Sequence, residues 1–447
     1  MFGKFSFAGG VHPPHNKAYT ESSEIATLPP PEKLIIPLSQ HIGAPAKVAV
    51  KRNDEVKVGQ MIGEAGGFVS APVHASVSGK VLSVGNFHHP LGGMVTSVEI
   101  ENDGKDEPVT FATLDKPWNE AAPGELIQLV QKAGVVGMGG ASFPTHVKLQ
   151  PPSEKNIDTL IINGAECEPY LTADHRLLLE LTQKVLDGIL IIKKILNAQR
   201  VVIGIEDNKP DAIAAVEEEI GSGAYGAIEL ARLATKYPQG GEKQLIEAVA
   251  KRQVPAGGLP MDCGCVVQNV GTAYAVRDAV IAGRPLYERV LTVTGPAVRK
   301  PANLLVRIGT PISYILDFCE IDMLAARKVI MGGPMMGIAQ SDLDAPVIKS
   351  TSGLLGLDTV EAAIRAYPCI SCGNCVKACP VNLVPATLAK YIAKNNIDAA
   401  EEWNVLDCME CGSCSFVCPS KINLVHFIKL GKFHVLAARK KKAASTK

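Results

Sequence analysis

Residues 369–380 read CISCGNCVKACP, and residues 408–419 read CMECGSCSFVCP. Both runs separate their cysteines by two, two and three residues and close on proline: Cys369, Cys372, Cys375, Cys379 and Pro380, then Cys408, Cys411, Cys414, Cys418 and Pro419. Three thiolates on one tight loop can reach three irons of a single cubane, while the fourth, on the next turn, points away. That geometry makes the two runs exchange their fourth ligands. One [4Fe–4S] cluster is expected on Cys369, Cys372, Cys375 and Cys418, the other on Cys408, Cys411, Cys414 and Cys379. Structural zinc is the competing reading, but zinc sites draw on cysteine pairs or on cysteine with histidine rather than on this run. Two neighbouring cubanes form an electron relay. Nothing in the runs supplies an open coordination position or a base, so the source of the electrons has to lie elsewhere in the chain.

At 447 residues the chain exceeds what one core holds, and three or more domains are expected. Lys and Arg balance Asp and Glu at 45 each, which removes the general electrostatic pull of a nucleic-acid binder. Twelve cysteines in so long a chain, eight of them in metal-spaced sets, belong in a reducing compartment rather than in a disulfide framework. The opening MFGKFSFAGGVHPPHNK has no apolar region followed by a small-residue cleavage site, and no long uncharged apolar run occurs. Neither a secretion signal nor a membrane span is expected.

Outward from the cysteines, the texture of the sequence changes several times. Residues 1–33 form an N-terminal extension with a Pro-rich end. Residues 34–110 are short β pieces punctuated by Gly59, Gly63, Gly79 and Gly85. Here DEVKVGQMIGE followed by APVHASVSGKV resembles the barrel-sandwich fold of lipoyl and biotinyl carriers, yet the intervening AGGFVSAPVHA contains no lysine to modify. A structural or docking barrel without a swinging arm is expected. Residues 120–290 alternate strand and helix: NIDTLIIN, then HRLLLELTQKVLDGILIIKKILNA with apolar residues at spacings of three and four, then RVVIGIEDN and PDAIAAVEEEI. This predicts a Rossmann-like α/β layer with a largely parallel sheet, whose ligands bind beyond the carboxyl ends of the strands. Residues 291–350 turn to β again (TVTGPAV, LLVRIGT, KVIMGGPMMG), 358–430 hold an α-helical two-cluster ferredoxin-type domain, and 431–447 read as a basic tail.

Candidate ligand-binding turns cluster in the α/β region. GVVGMGGASFPTHVKLQ contains Gly137, Gly139 and Gly140, whose backbone can approach a phosphate closely. As a dinucleotide fingerprint it fails, because Ser142 stands where a third glycine is needed, and alone it reads equally as a plain Gly-rich turn. NGAECEP places Asn163, Glu166 and Glu168 just past a strand end; YPQGGEKQLIEAV places Gly240, Gly241 and Glu242 at a helix start; QNVGTAYAV places Asn269 and Thr272 at another such junction. Each is an ordinary cap or turn by itself. Together they point to one cleft for a phosphorylated cofactor. Cys167, Cys263, Cys265 and Cys319 read first as small buried hydrophobes, with metal or redox duty the alternative for the first three, and His12, His15, His88 and His89 as loop residues.

Four motifs in order, GxGGAxFPTxxK, Asn-x-x-Glu-x-Glu-Pro, Tyr-x-x-Gly-x-Glu and Asn-Val-x-Thr, resemble the FMN- and NADH-binding subunit of respiratory complex I and of bacterial diaphorases. Residues 291–350 are similar to the β-grasp, SLBB-like module that follows the flavin domain there. With GGVHPPHNK, the barrel and the two cysteine runs added, nearly the whole chain resembles the C subunits of Rnf (Rsx) ion-translocating electron transport complexes. The resemblance implies FMN, NADH or NAD+ and two [4Fe–4S] clusters as cofactors, and electron exchange between NADH and the clusters within a ferredoxin:NAD+ oxidoreductase that moves Na+ or H+. It implies integral-membrane and ferredoxin-like subunits as partners, and a peripheral location on the cytoplasmic face of a bacterial or archaeal membrane. Gly137, Gly139, Gly140 and Lys148 would lie against the flavin phosphate and dinucleotide, with Phe143 available to stack on a ring. Asn163, Glu166 and Glu168 would line the isoalloxazine and NADH ribose side, and Tyr237, Gly240, Gly241, Glu242, Asn269 and Thr272 would close the flavin pocket. Two departures stand out: Ala165 replaces the aspartate of the complex I pattern Asn-Ala-Asp-Glu, and Lys243 replaces the second member of a Glu pair. No protein acid or base is obligatory for hydride transfer, so no catalytic residue is expected. The alternatives from the same residues are a diaphorase subunit of a soluble hydrogenase or bifurcating complex, and a non-catalytic relay scaffold.

Overall fold

The computed structural model describes residues 5–359 and 365–445. The outermost residues of the expected extension and tail, and residues 360–364 of the expected cluster domain, lie outside the described residues.

The α/β unit is built on four parallel strands in the spatial order Glu229–Leu233, Arg200–Glu206, Thr159–Gly164, Cys265–Asn269. Successive strand residues face opposite layers and both layers are apolar, as a parallel sheet covered on two sides requires. Leu160 and Ile162 pack with Val185, Ile189 and Ile192 of the helix Thr182–Leu196 and with Val276 of Val270–Ile281. Ile161 packs with Leu245 and Val249 of Glu242–Ala250 on the other side. Strand order reverses between Thr159–Gly164 and Cys265–Asn269, where the register sets Asn163 beside Asn269. Such a switch point leaves a crevice at the carboxyl ends of the strands.

The barrel-sandwich consists of a four-stranded antiparallel sheet (Lys33–Pro37, Met94–Asn102, Gly79–His88, Glu55–Val56) and a three-stranded one (Lys47–Val48, Met61–Glu64, Val73–His74). Leu34, Ile36, Ile62, Val81, Val98 and Ile100 fill the space between them. The β-grasp sheet takes its hairpin from Glu288–Thr294 and Ala302–Arg307, with Gly353–Leu357 added in parallel to the first, then Lys328–Met331 and Ile338–Ala339. Its far edge is Ile25–Thr27, paired in parallel to Ala302–Arg307. The sheet thus reaches past the expected 291–350 range at both ends, because the sixth strand comes from the segment read as an extension.

That segment works as a strap. Phe5 bridges to Leu233, Val11 pairs with Tyr237, the Gly10 amide donates to the Ala378 carbonyl at 2.9 Å, and the Tyr170 amide donates to the His15 carbonyl at 2.8 Å. Before its strand begins, it has already touched the α/β unit and the cysteine domain.

The cysteine domain repeats itself. Ser371 and Glu410, Gly373 and Gly412, and Asn382 and Lys421 occupy equivalent places in the two runs and share positive φ, at 57° and 61°, 76° and 79°, and 56° and 52°. The reading of 431–447 as a tail is corrected: Leu424–Ser445 is one helix. Its Leu424, Ile428 and Val435 are buried, and the run of lysines near its end masks that spacing in the sequence.

Candidate flavin and iron–sulfur site

The glycine loop lies over the switch point. Its neck is closed by a Val136–Pro144 bridge and by the Gly137 amide donating to the Phe143 carbonyl at 2.9 Å. The Met138 amide donates to Thr272 Oγ1 at 2.9 Å, and a Cβ on Gly139 would come within 2.8 Å of Asn269 Nδ2, so that position has to stay bare. Gly139, Gly140 and Ala141 are exposed at the crest, and a Cβ on Gly140 would meet nothing within 4 Å. Asn269 caps the helix Val270–Ile281 by accepting from the Gly271 amide at 2.8 Å, and its Nδ2 donates to Asp174 at 2.6 Å. Across the crevice, Asn163 Nδ2 donates to the Gly240 carbonyl at 2.8 Å, the Gly240 amide donates to Cys167 Sγ at 3.3 Å, and Lys148 pairs with Glu242 at 2.6 Å. Phe143 is half-buried beside the loop neck. These contacts bring Gly139, Asn269 and Thr272 together on one side of the switch point and tie Asn163 to Gly240, and Lys148 to Glu242, on the other.

Glu166 and Glu168 turn away from that cleft toward the fold's own amides. Glu166, held at φ 44°, accepts from the Asp174 and His175 amides at 2.7 and 3.3 Å, where its charge complements the start of the helix Ala173–Glu180. Glu168 accepts from the Met335 and Met336 amides at 3.1 and 2.8 Å, which fastens the α/β unit to the β-grasp module. Burial pushes its carboxyl up to about 7. Asp174 is also held above the usual carboxylate range, first by burial and then by the Glu166 charge. The strap supplies a buried counter-charge: Lys17 Nζ donates to the carbonyls of Glu166, Glu168 and Leu171, and burial lowers its ammonium to about 8. Lys209, fully buried, donates to the Ala165 carbonyl at 2.7 Å and pairs with Glu206 at 3.5 Å.

Tyr237 opens the turn that carries Gly240. Its hydroxyl is buried and donates to the Cys411 carbonyl at 2.8 Å, so it joins the flavin-side turn to a cysteine run instead of offering its oxygen to a cofactor. Gln244 Nε2 donates to the Pro380 carbonyl at 3.2 Å, and Met409 lies against Gly241. Val11, Tyr237, Ala378 and Cys411 share one small buried cluster with Cys167 and Met409 at its margin. The wall of the cleft and the wall of a cysteine site are the same wall.

Behind that wall, Cys379, Cys408, Cys411 and Cys414 line one apolar cavity, with Cys379 contributed by the other run. Cys375 and Cys418 meet in an adjoining cluster that also includes Cys414, and the thiols of Cys369 and Cys372 neighbour Cys375. Among the described residues no three His, Cys, Asp or Glu close on a single metal ion. A cubane, which gives each of four irons its own thiolate, asks for a wider spread than one ion. Backbone amides point at the sulfurs: Ser371 at Cys369 (3.4 Å), Glu410 at Cys408 (3.3 Å) and Leu383 at Cys379 (3.3 Å).

Family models match the chain in the order of these units: an RnfC barrel sandwich hybrid domain over residues 5–105, a Nuo51 FMN-binding domain over 130–278, an SLBB domain over 290–339 and a 4Fe-4S dicluster domain over 363–419. The chain is 48% identical, over 98% of its length and 96% of the relative's, to the C subunit of the proton-translocating ferredoxin:NAD(+) oxidoreductase complex of Clostridium ljungdahlii. It belongs to the C-subunit family of ion-translocating oxidoreductase complexes. The C subunit of the Na(+)-translocating ferredoxin:NAD(+) oxidoreductase complex of Acetobacterium woodii is likewise 48% identical, over 98% of both chains, and that of the ion-translocating oxidoreductase complex of Rhodobacter capsulatus is 43% identical over 89% of this chain and 76% of its own. An NAD+-reducing [NiFe]-hydrogenase structure in the H2-reduced state shares the fold at a TM-score of 0.50 and 17% identity, over 72% of this chain and 62% of that one.

As a member of the C-subunit family the chain carries an FMN-binding domain and a dicluster domain, and its residues fit both groups. Exposed loop amides beside Lys148 and the capped start of Val270–Ile281 make a cradle for a phosphate. Gln239, next to Gly240, is fully buried with both amide atoms unpartnered, a polar group that asks for a bound partner. Gln239, Lys17, Lys209 and Asp174 escaped the sequence reading. Gln239 sits inside the Tyr-x-x-Gly motif and was within reach of it, whereas Lys17 has no periodicity around it to mark its burial.

Proposed function

We propose that this chain is the NADH-handling subunit of an ion-translocating ferredoxin:NAD+ oxidoreductase, exchanging electrons between NADH and its two clusters from the cytoplasmic face of a bacterial or archaeal membrane. No described helix is long and apolar enough to cross a bilayer, so integral-membrane and ferredoxin-like subunits would supply the membrane part. The observation that carries this reading is the shared wall: Tyr237 joins the turn that closes the cleft to Cys411, and Gln244 joins the following helix to Pro380.

A bound flavin accepts a hydride and releases electrons singly, which reconciles a two-electron donor with one-electron clusters. The chain's residues bind and position. Gly137, Gly139, Gly140 and Lys148 would hold the phosphate, and Phe143 the ring of a dinucleotide. Asn163 and Asn269 set the spacing of the crevice through Gly240 and Asp174. Glu166 and Glu168 brace the strand-end turn that carries Cys167. The buried contact between Tyr237 and Cys411 keeps water out of the path from cleft to cysteines.

Anaerobic stopped-flow absorbance on the reconstituted full chain, supplied with FMN and mixed with NADH, tests the reading. Flavin bleaching followed by cluster bleaching is expected. With iron present in full and neither chromophore responding, the chain would be a relay scaffold instead.

A further inference from the structure

A second cavity lies at the joint between the α/β unit and the β-grasp sheet. It runs between one face of the helix Val270–Ile281 (Gly271, Tyr274, Ala275, Asp278) and the strand Glu288–Thr294 (Glu288, Arg289, Val290), with the Met138 side chain also in its wall. Gly139, Lys148, Asn163, Gly240 and Glu242 do not line it, so it is separate from the crevice above the switch point. Its volume is about 30 Å³, room for about two water-sized particles. Four charged side chains face it, and three of them are answered from within the protein. Asp278 accepts from Arg277 at 2.9 Å and from Arg284 at 3.4 Å, Glu288 pairs with Arg284 and, at 3.5 Å, with Arg307, and Arg284 also donates to the Tyr287 hydroxyl at 3.0 Å. Arg289 is the exception. It is only 5% exposed, and it donates from Nε to the Val290 carbonyl and from Nη1 to the Lys349 carbonyl. Among the described residues no carboxylate stands within ion-pair distance of it. Asp174, the acid whose charge it feels, is bonded instead to Asn269 and is held above the usual carboxylate range.

We propose that this cavity binds one small monovalent anion, of halide or formate size, held by the Arg289 guanidinium. A buried charge without a counter-charge is costly, and an anion beside it removes that cost. Two neutral carbonyls do not use up the five N–H donors of a guanidinium, so donors remain for an occupant. The space is too small for a nucleotide, and the other cation on its wall, Arg284, is already engaged by Asp278, Glu288 and Tyr287, which leaves a divalent anion no second partner. The occupant links Glu288–Thr294 to the helix Val270–Ile281 and so braces the joint between the two units. Because it binds only where that joint is formed, it stabilises the folded chain by mass action. The site is independent of the flavin and iron–sulfur chemistry.

The test uses the full cluster-loaded chain with chloride as probe. Thermal unfolding is followed in potassium chloride and in potassium gluconate at equal ionic strength, gluconate being too bulky to enter, and chloride affinity is read from the NMR linewidth of the ion. The unfolding temperature is expected to rise with chloride and not with gluconate. Affinity should fall about tenfold or more in Arg289→Met, which removes the guanidinium, and equally in Ala275→Leu, which fills the cavity and keeps it. Equal unfolding temperatures in the two salts with no chloride broadening would overturn the proposal, and so would chloride binding that persists unchanged in both variants, since the ion would then sit elsewhere. Should neither variant fold, a bromide-soaked crystal of the unaltered chain decides: an anomalous peak beside Arg289 is expected, and its absence would overturn the site.

Discussion

A single oxygen atom on Tyr237 links the two halves of the electron path, and its removal has a readable consequence. Tyr237→Phe leaves the buried Cys411 carbonyl without its donor, a loss of about 1–3 kcal/mol. Thermal unfolding should shift down by the corresponding amount, and cluster bleaching after NADH should slow while flavin bleaching does not. Cys379 offers a sharper test, since it belongs by sequence to one run and by position to the cavity of the other. Cys379→Ser should lower iron from about eight to about four per chain, with the remaining cluster spectroscopically that of Cys369, Cys372, Cys375 and Cys418. Residue spacing alone predicts this exchange, from how a short loop can wrap a cubane, and Cys379 lining the cavity of Cys408, Cys411 and Cys414 supports it. The roles of Glu166 and Glu168 were not readable in the same way. Their motif marks a strand-end turn, but the amides they accept from belong to the helix Ala173–Glu180 and to Met335 and Met336, and no local pattern announces the second of these.

At the scale of elements, periodicity did its work where one face of a helix or both faces of a strand had to be apolar. The parallel strands declare themselves in this way, whereas the stretch 175–198, read as one long helix, divides at Leu181 into Ala173–Glu180 and Thr182–Leu196. The strap did not declare itself, because its burial comes from contacts hundreds of residues away rather than from any repeat of its own. Gly9 shows how closely it fits: at φ 78°, a Cβ there would stand 2.8 Å from the Cys379 carbonyl oxygen. Gly9→Ala should cost about 1–2 kcal/mol for the left-handed backbone alone. The expected outcome is faster proteolytic release of the strap, read together with iron content because the added methyl presses on the Cys379 backbone.

In the whole molecule, three units meet at one amine. Lys349, buried beside the β-grasp sheet, donates to the Pro72 carbonyl of the barrel at 2.9 Å and to the Gly134 carbonyl below the glycine loop at 2.7 Å. Burial lowers its ammonium from 10.5 to about 7. Between those values the unfolded chain binds more protons than the folded one, so stability rises with pH across the window and is lost as pH falls back toward 7. The contribution of this one group is at most about 1.4 kcal/mol per pH unit. Denaturant titrations at several pH values should show the rise in the unaltered chain and a shallower one in Lys349→Met, the remainder including Lys17, lowered to about 8. The strap has a consequence for how the molecule is made. Ile25–Thr27 pairs with a strand that begins at Ala302, and Gly10 with the carbonyl of Ala378. At translation speeds of about 5–20 residues per second, those partners emerge roughly 15–75 s after the strap does. For that interval the strap has only its seats on the α/β unit, and it can close over the cysteine domain only after residues 369–380 have left the ribosome. Metal loading of the inner site then has an open period during synthesis, which ends when the strap docks.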